Sequence, residues 1–194
     1  MRPGRATVNP GAMLERCRLS PWLTATALAA FGLGVVAGGR ELVTERPTAV
    51  GHSPGTEAWG VHIALTGVAL AWIAAAVRYP AVRPPMPLSA DFARRVRAVY
   101  RSPLRAVPVT VLLVVCLYLV WRMGQQVLGG LDPSFTANAW GGPGYVGAFY
   151  CHYLDCLLQI AVGLVLVDRL LPGRTRVARP GASADDATVP KGAR

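Results

Sequence analysis

Four long apolar segments constrain this chain more than any other feature of its sequence. A helix needs roughly 20 residues to cross a hydrocarbon core about 30 Å thick, and each segment with its flanks has close to that length. Backbone that is buried without water must bond to itself, so each crossing is expected to be a helix. The predicted spans are residues 22–39, 59–77, 104–123 and 145–167.

The composition supports a membrane protein. Of the 194 residues, 53% are hydrophobic and only 15% are charged, whereas soluble domains carry about 25% charged residues. We therefore predict an all-α membrane protein whose four transmembrane helices form one bundle over residues 21–171. Residues 1–20 are predicted to be a cytoplasmic N-terminal segment. Residues 172–194 have almost no large apolar side chains and are predicted to be a disordered cytoplasmic tail.

The basic residues predict the orientation of the spans. Residues 1–20 hold four of them, residues 78–105 hold seven and residues 168–194 hold six, whereas the two other connections hold three. Segments rich in arginine and lysine stay in the cytoplasm, so both termini are predicted to lie inside. The net charge of +10 is then a consequence of topology, and no nucleic-acid partner is predicted.

The amino-acid composition also predicts where the protein is located. Arginine, alanine and glycine are abundant and Lys191 is the single lysine, which is typical of GC-rich genomes and favours a multi-pass protein of a bacterial plasma membrane. Residues 1–39 have an alternative interpretation as a cleaved signal peptide. A signal peptide has an apolar core of about 7 to 15 residues. The 18-residue apolar run here favours a retained first helix.

A short basic helix is predicted between the second and third spans. Phe92, Val96 and Val99 are spaced for one helical face, Ser89 could cap the helix and Pro103 would end it. Such a helix would lie on the anionic lipids of the inner leaflet. The alternative is a plain cytoplasmic extension of the third span. The predicted membrane-surface residues are Arg94, Arg95, Arg97 and Arg101.

Polar groups in the first half of the fourth span are the strongest functional signal. His152, Asp155 and Gln159 are spaced to share one helical face, and Tyr145 lies one heptad before His152. A charged group within a span costs about 2.5 to 3.5 kcal/mol and usually faces the bundle interior. The predicted polar pocket near the outer face comprises His152, Asp155, Gln159, Tyr145 and, from the second span, His62.

Three classes of function fit this pocket. The first is a non-enzymatic subunit, accessory or transport-related protein. The second is a redox or metal-dependent membrane enzyme, with one haem b between the two histidines or a divalent metal held by His62, His152 and Asp155. The third is a structural protein in which a His–Asp pair fixes the helix register. Walker-type, HExxH, CxxC and GxSxG motifs are absent. We favour the first class, with no cofactor and no enzymatic activity.

Small residues and cysteines bear on how the helices associate. Gly34 and Gly38 form a GxxxG pattern in the first span, which permits close helix contact within the bundle, in a homo-oligomer or in a larger membrane complex. The connection after the third span, rich in turn-forming residues, is predicted to cap the outer mouth of the bundle. Its alternative is a plain connector. No disulfide is predicted.

Overall fold

The computed structural model describes residues 18–44, 58–79 and 86–172. These residues are 82% helical and contain no strand. The segments predicted to be cytoplasmic, residues 1–20 and 172–194, lie almost wholly outside the described residues, as does the first part of the alternative signal peptide. The helices, in chain order, are α1 (Pro21–Thr44), α2 (Ala58–Arg78), α3 (Ala90–Val99), α4 (Pro103–Gly129), α5 (Pro133–Thr136) and α6 (Tyr145–Leu170).

Four of these helices, α1, α2, α4 and α6, are long and apolar enough to cross a membrane. For the part of the chain that the structure describes, this confirms the prediction of an all-helical fold with four helices that could be spans. All four helices are longer than the predicted spans, and the largest extensions are those of α1 to Thr44 and of α4 to Gly129. The extension of α4 contains Gln125 and Gln126, and glutamine is a good helix former.

Glycines bring α1 and α4 into close contact. A Cβ atom at Gly34 or Gly38 would run into the backbone carbonyl of Trp121 or Gln125, and one at Gly124 would run into the carbonyl of Phe31. The GxxxG pattern of α1 is therefore used inside the chain. The two helices are parallel, since Gly34 lies against Trp121 and Gly38, one turn further along α1, lies against Gln125, one turn further along α4.

Of the remaining long helices, α6 packs on α4 in the opposite direction and α2 packs on α6. At one end of the bundle the Tyr153 hydroxyl of α6 donates to the Met123 carbonyl of α4, 2.8 Å away. At the other end Val109 of α4 and Val167 of α6 share a buried apolar cluster, so α6 is antiparallel to α4. α2 packs against α6 near the beginning of both helices, where Trp59 stacks on Tyr150.

The short helix α3 closes the end of the bundle at which α1 and α4 begin. Phe92, Val96 and Val99 are buried in the cluster that contains Val109 and Val167. The backbone N–H of Ala90 donates to the Arg18 carbonyl, 2.8 Å away. We call this end the α3 end. The chain enters the described bundle there, at Arg18, and leaves it there, because Arg95 of α3 also contacts Pro172.

α3 is separate from α4 and not a continuous extension of it, since Tyr100–Ser102 interrupt the helix. The Phe92 N–H donates to Ser89 Oγ, 3.2 Å away, as the predicted cap requires. The prediction that Arg95 lies on the membrane surface is wrong. Its side chain is only 10% exposed, because the carboxylate of Asp168 and the carbonyls at the end of α6 supply acceptors for its guanidinium.

Candidate functional site

A polar cavity of about 550 Å³ lies at the end of the bundle opposite the α3 end. Its walls come from the last turns of α4, the segment 130–144 and the first half of α6. Phe135 and Trp140 supply aromatic surface. The polar and charged lining residues are Arg122, Gln126, Ser134, Asn138, His152 and Asp155.

The segment 130–144 is an ordered wall of this cavity. Asp132 accepts a hydrogen bond from the Ser134 N–H at 2.9 Å and so caps the single turn of α5. The buried Thr136 hydroxyl donates to the Pro143 carbonyl at 2.9 Å, which ties the segment back on itself. Gly141 has a φ of 90°, a conformation that side chains disfavour, and a Cβ there would also collide with the Gly147 carbonyl. The segment therefore sits against α6 as a cap and not as a plain connector.

Asp155 is paired with His62 across two helices. The distance between His62 Nε2 and Asp155 Oδ2 is 3.3 Å, and His62 Nδ1 lies 2.7 Å from the Ala58 carbonyl. A carbonyl can only accept, so Nδ1 carries a hydrogen. One further proton between Nε2 and the carboxyl group then satisfies both atoms. The pair is neutral overall, either as an ion pair or as two uncharged groups, which suits a site within a span.

Neighbouring side chains hold the His62–Asp155 pair between α2 and α6. His62 is fully buried, whereas the Asp155 side chain is 30% exposed and reaches the cavity. Trp140 of the cap lies edge-on to the His62 ring, with centroids 5.8 Å apart. One turn further along α2, the Thr66 hydroxyl bonds the Tyr150 hydroxyl and donates to the His62 carbonyl. These contacts fix the start of α2 on α6.

His152 lines the cavity, but the histidine that contacts Asp155 is His62. Its Nε2 lies 3.6 Å from the Cys156 Sγ, one turn along the same helix. His152 and Asp155 share one helical face, but the carboxyl group of Asp155 contacts His62 of α2 instead. Of the predicted pocket, His62, His152 and Asp155 are therefore gathered in one region, with the two histidines on different partners.

Tyr145 and Gln159 do not line the cavity. The Tyr145 hydroxyl donates to the Val127 carbonyl, 3.2 Å away, and its ring packs on Phe149. Gln159 is exposed. The prediction that Gln159 shares an inward stripe with His152 and Asp155 is wrong, because further along α6 the packed face turns toward α4 and carries Gly163 and Val167.

A polar chain from α1 to the cavity was not predicted. Gln125 Nε2 donates to Glu41 Oε1, and Arg122 Nη1 donates to Gln125 Oε1, both at 2.6 Å. The Arg122 guanidinium also lies over the Phe135 ring of the cap, 5.9 Å from its centroid. The spacing of Arg122, Gln125 and Gln126, three and four residues apart, carried this signal, because such residues share a helical face.

The geometry bears directly on the metal and haem alternatives. Within the described ranges, no group of three or more His, Cys, Asp and Glu side chains is arranged to hold a metal ion. Both nitrogens of His62 contact protein groups, so neither is free for a haem iron or a metal in this arrangement. Cys116, Cys151 and Cys156 are free and buried.

The fold and cavity define a class: a helical protein with four helices long and apolar enough to cross a membrane and a polar cavity at one end of its bundle. The chain matches no protein-family model, and neither its sequence nor its structure matches a curated protein or a solved structure.

Proposed function

We propose that this chain is a small non-enzymatic membrane protein, a subunit, accessory or transport-related component, that binds a small polar ligand at its outer face. The observation that carries the proposal is that one cavity is lined by the guanidinium of Arg122 and the carboxyl group of Asp155, which is charged in the ion-pair form of its contact with His62. Its volume of about 550 Å³ falls within the range of small-molecule pockets, about 300 to 1,000 Å³.

The two charged groups favour a ligand with charges of both signs. Arg122 has five N–H donors, one of which is directed to Gln125, so its guanidinium retains donors for a carboxylate. His62 contacts one oxygen of Asp155, and the exposed part of the carboxyl group can accept from an ammonium group. Asn138 and Gln126 add neutral hydrogen-bonding groups. A free amino acid or a similar zwitterion has this chemistry.

The proposed setting is a bacterial plasma membrane with both termini in the cytoplasm. The distribution of arginine supports this orientation, which puts the cavity outside and the α3 end inside. Arg94, Arg97 and Arg101, which are exposed, then face the anionic inner leaflet. Association into a homo-oligomer or a larger membrane complex is part of the same proposal, since α2 exposes much of its surface.

Binding to the purified protein in nanodiscs tests the proposed function. Isothermal titration with single free amino acids, simple carboxylates and simple amines should reveal binding that is strongest for a zwitterion. Asp155→Asn and Arg122→Gln should each weaken it, whereas Gln159→Ala, a change on α6 outside the cavity, should leave it unaltered. An absence of binding throughout the panel, or equal loss with Gln159→Ala, contradicts the proposal.

A further inference from the structure

An apolar groove of about 500 Å³ opens between α1, α3, α4 and α6 near the α3 end. Side chains from all four helices line it, so the groove is a product of the bundle and not of one helix. Its main apolar lining residues are Leu23, Ala27, Phe92, Leu113, Leu117 and Leu164. Trp22, Arg97 and Tyr100 lie at its border and are themselves exposed.

A basic cavity of about 680 Å³ adjoins this groove. The two share Trp22 and Arg97 in their linings, so they lie side by side. The guanidinium of Arg97 lies 5.4 Å from the centroid of the Trp22 ring, which holds the arginine at the junction. None of the residues that line the basic cavity is acidic, and four are arginines: Arg18, Arg94, Arg97 and Arg101.

The four arginines differ in the protein groups that their guanidinium groups contact. Arg94 is paired with Asp91 at 2.6 Å, and 76% of its side chain is exposed. Arg97 rests on Trp22. Arg18 and Arg101 line the same cavity with no ion pair to a described carboxylate. A concentration of positive charge beside an apolar groove is complementary to one kind of molecule, an amphiphile with an anionic head.

We propose that the groove and the basic cavity together bind a single anionic phospholipid. Its anionic phosphate would lie among Arg18, Arg97 and Arg101, where guanidinium groups can bond phosphate oxygens in pairs. One acyl chain would follow the groove past Ala27 and Leu164. This site goes beyond general attraction of a basic helix to an anionic surface, because it includes an apolar slot of defined shape.

The inference rests on the proposed orientation, in which the α3 end faces the anionic inner leaflet. Its test is independent of orientation and of the outer cavity, because binding is measured in detergent. Native mass spectrometry of the full chain, titrated with dioleoyl phosphatidylglycerol or dioleoyl phosphatidylcholine, separates headgroup from chain. We expect one tightly bound phosphatidylglycerol per protein and no comparable phosphatidylcholine. Equal binding of both lipids, or no defined stoichiometry, overturns the site.

Two double variants separate binding of the headgroup at a defined site from diffuse electrostatic attraction. Arg97→Gln with Arg101→Gln should weaken phosphatidylglycerol binding about 30-fold, because each arginine near an anionic headgroup contributes about five-fold. The matched control, Arg105→Gln with Arg169→Gln, removes the same charge from exposed residues that line neither depression. It should change binding little. An equal loss in the control identifies diffuse electrostatic attraction and overturns the site.

The groove is tested by filling it without a change of charge. Ala27→Phe places a ring in the groove and should abolish the single tightly bound lipid, whereas Ala29→Phe, on an exposed part of the same helix, should not. Circular dichroism melts of each variant show whether it folds, and Ala27→Ile offers a smaller obstruction if the phenylalanine does not fold. Retention of the bound lipid in folded Ala27→Phe overturns the site.

Discussion

His62 and Asp155 face each other across α2 and α6, with Nε2 and Oδ2 3.3 Å apart. The pair joins the least packed long helix of the bundle to the rest of the protein, and it does so at the edge of the polar cavity. Because His62 Nδ1 is bound to the Ala58 carbonyl, the contact with Asp155 requires a donor on one of the two facing atoms. The same carboxyl group thus serves helix attachment and, in the proposed function, ligand binding.

This proton arrangement predicts different outcomes for two substitutions of Asp155. In Asp155→Asn the amide N–H can donate to Nε2, so the free energy of unfolding should fall little. In Asp155→Ala the buried imidazole loses its partner, which should lower the stability by about 1 to 3 kcal/mol. Unfolding in mixed micelles, followed by circular dichroism, measures both. Equal stability of the two variants would show that the pair does not hold α2.

The glycines of α1 provide a sharper comparison. In Gly34→Ala the new methyl group runs into the Trp121 carbonyl, and backbone must move, so we expect a loss of about 1 to 3 kcal/mol. Gly32→Ala in the same helix meets nothing within 4 Å and should be neutral or stabilising by up to about 1 kcal/mol. The same unfolding assay compares them. If Gly34→Ala is as stable as Gly32→Ala, α1 and α4 do not pack as closely as described.

The spans and the His62–Asp155 pair could be predicted from the sequence, whereas the positions of Gln159 and Arg95 could not. Long apolar runs predict spans because length and hydrophobicity are local properties. The gathering of His62 and Asp155 could also be predicted, since both lie in the first halves of their helices. The fate of Gln159 could not, because it depends on which helix lies beside α6 at that depth. For the same reason the sequence could not show that Asp168 would bury Arg95.

Two neighbouring arginines of α3 should therefore behave differently on substitution. Arg95 donates to the Asp168 carboxylate at 2.5 Å and to two carbonyls at the end of α6, so Arg95→Ala should lower stability by about 1.5 to 3 kcal/mol. Arg94→Ala removes an exposed pair with Asp91 and should change stability by less than about 1 kcal/mol. Thermal unfolding in one detergent compares the variants. Equal effects would mean that Arg95 does not anchor α3 to α6.

The proposed orientation of the helices can be tested with reporter fusions. Reporter fusions after Val50 and after Ser134 should behave as external, and fusions after Ala90 and after Pro180 as cytoplasmic, because the basic segments remain inside. The parallel packing of α1 with α4 and the antiparallel packing of α6 require the ends of α1 and α4 to share one side. A fusion pair after Val50 and Ser134 that reports opposite sides would contradict the bundle itself. An external signal at Ala90, with Ser134 cytoplasmic, would instead keep the bundle and invert the protein, placing seven arginines of residues 78–105 outside and the polar cavity toward the cytoplasm.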